Sequence, residues 1–307
     1  MRRYLVTLIV AGVAAPLMAA PPTVNGNSSG DSYGAAYAVQ TVETGFGDAN
    51  PNFGSELDAA YARVDSGRLY LMLTGNIEAN FNKLEIFFEA HGGGYNTFPA
   101  LPGNDGAGNM ASPGLTFKNG FAPNYHMIVR RGTADNVDRF DVDYAVLGTN
   151  TYSSYNYALG FGNLAGTGST GTGPANSSPI QLGYDNSNVL GVGGNAPLAA
   201  NQAAAAAVTT GFEVSIALAD LGSPTDQICI MVAQNNQGHN YFSNQFLPGL
   251  AAPQGNLGGD GTGGFIGGVN IDLNNFGGDG DFCVAVPEPT SLALFALAGL
   301  VGLRRRA

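Results

Sequence analysis

A chain of 307 residues has room for one large domain with a real core, or for two small ones. It carries 23 acidic residues against 12 basic ones, a net charge of −11, which argues against nucleic acid and anionic lipid as partners and is compatible with divalent cations or neutral sugars. With 46 glycines, abundant Asn, Ser and Thr, no tryptophan and two lysines, Lys83 and Lys118, it has the composition of a loop-rich extracellular β-protein. Long helices are disfavoured, because Gly and Asn cost stability in helix interiors.

The chain opens with Met1-Arg2-Arg3, a short positive stretch, then an apolar run over residues 4–13. Small residues follow to Ala20, interrupted by Pro16. That order predicts a secretory signal peptide over residues 1–20, cleaved near Ala19 or Ala20. The apolar run is shorter than the roughly 20 residues a stable membrane span needs. Residues 21–56 are rich in Gly, Asn and Ser, with a first strand expected at 33–42. Residues 57–64 and 68–74 read as a β-hairpin around the turn Asp65-Ser66-Gly67. Residues 83–89 alternate polar and apolar, the pattern of a half-buried strand. Residues 99–114 read as a long loop. Strands are expected at 125–130 and 140–147, joined by a polar turn over 132–138, and a weaker one at 180–184 within a polar, glycine-rich stretch. The alanines at 203–207 suffice for a turn or two of helix. Residues 211–218 form a clear strand ahead of the turn Ala219-Asp220-Leu221-Gly222, and further strands are expected at 228–233 and 282–286, on either side of a second glycine-rich stretch at 248–281. Short strands, frequent turn signals and no βαβ alternation predict an all-β fold: an antiparallel β-sandwich, jelly-roll-like, with long Gly/Asn-rich loops, as one domain over residues 21–285.

Little in this body resembles catalytic machinery. His91, His126 and His239 are scattered, and none has a metal-ligand neighbour at helical or strand spacing, so each reads as a turn or surface histidine. There is no Gly-x-Ser-x-Gly elbow and no phosphate loop with lysine. Glu85, Glu89 and Glu213 lie on expected strands, and Asp141 and Asp143 share one strand face; paired carboxylates can do glycosidic chemistry, but alternation is also how a solvated sheet face looks. Calcium is the metal the sequence favours. Asp105, Asp260, Asp279 and Asp281 sit in oxygen-rich, glycine-rich loops, where simple Asx turns are the alternative reading. No other cofactor is expected. Tyr95, Tyr152, Tyr155, Tyr157 and Tyr241 lie near loops and could stack sugars. Cys229 and Cys283 are the two cysteines, and an even pair in an oxidising compartment predicts a disulfide.

The C-terminus combines three features in order. Pro287-Glu288-Pro289 forces an extended stretch, residues 292–303 are an apolar run, and Arg304, Arg305 and Arg306 follow. The run reads as a single apolar helix stopped in the inner membrane, with the arginines on the cytoplasmic side. At 1.5 Å per residue it spans about 18 Å of a hydrocarbon core about 30 Å thick, which suits a transient stop better than a permanent anchor. This tail, residues 286–307, resembles the PEP-CTERM sorting signal. The resemblance implies recognition by a membrane-embedded exosortase-type enzyme, transient inner-membrane contact, and a Gram-negative envelope in which extracellular polysaccharide is made. A second resemblance lies in the body. Leu69, Tyr70, Gly211, Glu213, Ile216, Leu218, Leu221 and Gly222 match the pattern of family 9 carbohydrate-binding modules, which implies a β-sandwich and an affinity for sugars. The expected function is that of an exported, non-enzymatic envelope or extracellular-matrix protein, associated with exopolysaccharide. A carbohydrate-binding module with real glycan affinity, or a glycan hydrolase, are the alternatives.

Overall fold

The structure, a computed structural model, describes residues 19–49, 54–134, 137–155 and 165–288. The signal segment up to residue 18, Tyr157, Pro289, the apolar run and Arg304 to Arg306 lie outside the described residues. The first strand, β1 (Ala38–Val39), is far shorter than expected, and Tyr33, at the start of the expected strand, instead turns inward to donate to Glu213. The hairpin that follows is dictated locally. Ser66 and Gly67 both take left-handed angles, φ 50° and 75°, the pairing whose twist matches adjoining strands. They join β2 (Glu56–Asp65) to β3 (Arg68–Asn76), and β4 (Asn80–Glu89) follows.

The predicted loop at 99–114 contains two short 3-10 turns over Asn104–Ala111 and leads into β5 (Pro113–Thr116). A longer hairpin than expected comes next, β6 (Tyr125–Ala134) and β7 (Val137–Val146), then β8 (Thr151–Tyr155), β9 (Ala165–Ser169) and β10 (Gln181–Asp185). The helix α1 (Gln202–Ala207) is capped by the Asn201 side chain, which accepts from Ala204 N at 3.2 Å. The chain finishes with β11 (Gly211–Ala217), β12 (Gln227–Asn235), β13 (Phe242–Leu247), β14 (Val269–Asp272) and β15 (Phe282–Ala285).

Two antiparallel sheets pack face to face, as a sandwich requires. One has the order β1-β2-β3-β11-β10-β9. The other runs β13-β12-β4-β6-β7-β8, and β15 lies end to end with β13 along the same edge of β12. Leu69, Leu71 and Leu73 of β3 meet Leu84, Ile86 and Phe88 of β4 in the core between the sheets. A third, irregular layer covers the outer face of the second sheet. It contains the parallel pair β5–β14 and buries Phe98, Met110, Leu115, Phe117 and Phe121 against Phe87, Ile128 and Met231. At about 1.5–3 kcal/mol for each large apolar side chain, this layer contributes on the scale of a second core.

That layer corrects the reading of residues 83–89. Their polar positions do not face water: Lys83 and Glu85 are buried beneath the covering loops. The run Ile86-Phe87-Phe88, which breaks strict alternation, is what a strand covered on both faces needs.

Candidate functional site

At one end of the sandwich the two ends of the described chain meet. β15 runs along β12, and Val286 N donates to Asp226 O at 2.7 Å as the last backbone tie. Val286 is half-buried against the core, whereas Pro287 and Glu288 are exposed. The sorting motif therefore begins where the sheet pairing stops. Opposite it, Arg63 donates to the carbonyls of Ala19 and Ala20 at 2.7 and 2.9 Å, holding the start of the described chain. Between them lies a groove of about 690 Å³, floored by Val64, Leu218 and the Ser66-Gly67 turn. The structure joins Cys229 and Cys283 in a disulfide. They are directly opposed across β12 and β15, so the strand leading into the motif is covalently stapled to the sheet.

The strongest electrostatic feature lies beneath the third layer. Glu85 of β4 is wholly buried between two histidines. Its Oε2 meets His126 Nε2 at 2.8 Å and its Oε1 meets His239 Nδ1 at 2.6 Å. His239 Nε2 reaches Asp105 Oδ2 at 3.1 Å. Asp105 and Gly106 both adopt left-handed backbone, φ 53° and 85°, which turns the covering loop so that this carboxylate also takes Lys83 Nζ at 2.7 Å and Arg130 Nη1 at 3.2 Å. Arg130 extends the network to Asp143 and to Asp141. His126 is stacked on Phe87, ring centroids 4.6 Å apart, and its Nδ1 has no partner among the described residues. Burial alone would lower the His239 pKa, but the Glu85 carboxylate and Asp105 push it up to about 9. Burial would raise Glu85; the two histidines overcome it and hold the carboxyl well below its usual range. The expectation of surface histidines is thus corrected for two of the three. His126 and His239 are 0 % exposed: the β4–β6 pairing brings His126, and the turn after β12 brings His239, to the two oxygens of one buried carboxylate. His91 does sit at a turn, with Nδ1 2.9 Å from Gly92 O. With Glu85 and both histidines sealed from solvent, the arrangement is chemically a clamp: it ties the covering loop and the turn after β12 to the sheet.

The other carboxylates considered for glycosidic chemistry also bind the chain itself. Glu89 accepts from Ala122 N at 2.7 Å. Glu213 lies on the opposite sheet and accepts from Tyr33 OH at 2.5 Å and from Asn25 N and Gly26 N at 2.8 and 2.9 Å. Of the four aspartates picked for calcium, Asp105 serves the ion-pair network, and Asp260 accepts from Thr262 N and Gly264 N at 2.7 and 2.8 Å in an Asx turn. Asp279 and Asp281 lie just before β15, where Asp281 Oδ2 is 3.3 Å from Cys283 Sγ. Sequence reasoning missed a ring stack. Phe46 lies on Tyr241 at 6.2 Å, and Tyr241 on the exposed Phe265 at 4.6 Å. Three segments distant in sequence build it, and no local pattern announces it. Tyr95 and Tyr152 are partly exposed elsewhere, and Tyr155 donates to Asn176 Oδ1 at 2.7 Å.

Residues 285–306 match the family model of the PEP-CTERM protein-sorting motif. That motif implies an exported protein with a C-terminal sorting signal, processed by an exosortase-type enzyme. No curated protein and no solved structure matches the chain.

Proposed function

We propose that this is a non-enzymatic envelope or matrix protein, whose stapled β-sandwich is delivered to a polysaccharide-rich surface when its tail is processed. The observation that carries this reading is the position of the motif. Pro287 and Glu288 project, exposed, from the last strand of a body already complete at Val286, so a membrane-embedded enzyme can reach them without unfolding anything. The fate of the carboxylates supports a non-catalytic body: Glu85, Glu89, Glu213, Asp141 and Asp143 hold structure rather than face one another across a cleft. Intact-mass measurement of protein from its native envelope is the test. The mature mass should lack everything beyond about Pro289 and also the segment before Ala20. A mass that retains Arg304 to Ala307 in a host with an active sorting enzyme would overturn the reading.

The Phe46–Tyr241–Phe265 stack favours a second reading, a body with glycan affinity of its own. Phe265 is 66 % exposed, which leaves ring surface for a sugar to stack on. Affinity electrophoresis in neutral polysaccharide gels should show retardation that Phe265→Ala abolishes; equal mobility of the two proteins in every gel would reject it.

A further inference from the structure

The outer face of the first sheet carries a feature that the sorting reading does not use. Glu56 and Asp58, two apart on β2, share one face of the sheet, and a β-bulge between Leu57 and Ala59 leaves Asp58 without a partner in β3. Both carboxyls are 0 % exposed, and both accept from the same Asn188 amide. Glu43 and the exposed Asp48 lie close by, against the glycine-rich loop that covers the pair. A Cβ at Gly191 would stand 2.1 Å from Asp58 Oδ1, one at Gly193 2.7 Å from Glu43 Oε2, and one at Gly194 2.9 Å from Asp48 Cβ. Among the described residues, no ion pair brings a Lys, Arg or His to any of these four carboxylates.

Two observations point to a ligand. Three oxygens converge on one nitrogen: Glu56 Oε1 at 3.1 Å, Asp58 Oδ2 at 3.2 Å and Leu190 O at 2.5 Å all surround Asn188 Nδ2, which has two hydrogens to offer. Independently, Asn76 stands directly opposite Glu56 in the β2–β3 register, so its side chain shares that face of the sheet. It is 2 % exposed; its Nδ2 is engaged by the carbonyls of Asn186 and Asn188, and its Oδ1 is buried with no partner among the described residues. A carbonyl oxygen left bare beside two buried carboxyls is costly unless something positive sits there.

We propose that this pocket is a calcium site, with Glu56, Asp58 and Asn76 supplying side-chain oxygens, Leu190 a carbonyl and Asp48 a charge at the solvent rim. An all-oxygen set mixing carboxylates with neutral carbonyls on flexible loops suits calcium. Magnesium prefers a rigid octahedron and keeps its waters. Two buried carboxyls on one face of the sheet repel each other when ionised, and a bound divalent cation would relieve that repulsion.

The test is calorimetric titration of the chelator-treated full chain with calcium chloride, together with its melting temperature. We expect one saturable site in the 10⁻⁴–10⁻³ M range usual for extracellular modules, a melting temperature that rises with calcium by several degrees, and a smaller response to magnesium. Glu56→Gln and Asp58→Asn should weaken binding at least tenfold, and Asn76→Ala severalfold, while Asp260→Asn and Asp279→Asn bind as the parent does. If Asp58→Asn does not fold, the Asn76→Ala titration and the parent melting shift still decide. Absence of heat and of any melting shift in the folded parent overturns the proposal. So does unchanged affinity in the Glu56, Asp58 and Asn76 variants, or loss of binding confined to the Asp260 or Asp279 variant.

Discussion

At the residue scale, Glu85 is the centre of a buried ionic network. It is buried, paired on both oxygens, and linked through His239 to the covering loop. Removing its charge strands two buried imidazoles, and breaking a buried pair from one side costs about 3–5 kcal/mol. Glu85→Gln should therefore lower the denaturant midpoint sharply at pH 6; a loss under about 1 kcal/mol would show that the pairs contribute little. The same network sets a pH dependence. His239 binds its proton more tightly folded than unfolded, so its contribution is complete below about pH 6.5 and fades as pH rises through about 9. Glu85 is shifted the other way, so its contribution is present above about pH 4.5 and is lost in acid. Stability measured between pH 6.5 and 9 should fall more steeply in the parent than in His239→Asn. Parallel curves would remove His239 from the account.

At the scale of elements, β15 is the strand whose attachment matters most to the tail. It has four residues, occupies a sheet edge and pairs only with part of β12. Four residues of ladder are weak support for a segment that leads into a sorting signal. The Cys229–Cys283 bridge supplies the missing strength across a sequence separation of 54 residues, for which the chain-entropy model gives about 4 kcal/mol. Cys229→Ser should lower stability by that order and make Phe282 to Ala285 the first amides to exchange. Equal melting temperatures for the parent with and without reductant would contradict it. Elements with polar or glycine-rich sequences, such as β9 with Ala-Gly-Thr-Gly-Ser, are held by their neighbours: β9 forms only because β10 presents a ladder to it.

For the whole molecule, geometry at the sorting end makes the order of events predictable. The last sheet pairing ends at Val286, and the two described residues beyond it, Pro287 and Glu288, are exposed. Replacing Pro287, Glu288 and Pro289 by alanine should leave the melting temperature within about 1 °C of the parent, because Pro287 and Glu288 are exposed. The same variant should accumulate unprocessed in the inner-membrane fraction. Normal processing of the alanine variant would mean that the apolar run and arginines alone are recognised. A large drop in its melting temperature would mean that the motif belongs to the folded body.

What the sequence by itself determined was whatever is written in neighbouring residues. The Pro-Glu-Pro tail, the Ser66-Gly67 hairpin, the Asn201-capped helix and the all-β character all follow from turn chemistry, capping and period-two patterning within a few positions. The tertiary structure alone decided which distant residues meet. Glu85 lies 41 residues from His126 and 154 from His239, and Glu56 lies 132 from Asn188. Nothing local to a histidine in Gly-His-Asn-Tyr marks it for burial, and polar alternation in β4 reads the same whether water or a third layer covers it. Those outcomes depend on strand order, on one bulge at Asp58 and on glycine loops that close over carboxylates. Each is set by the sum of many long-range contacts, and no short stretch of sequence contains that sum.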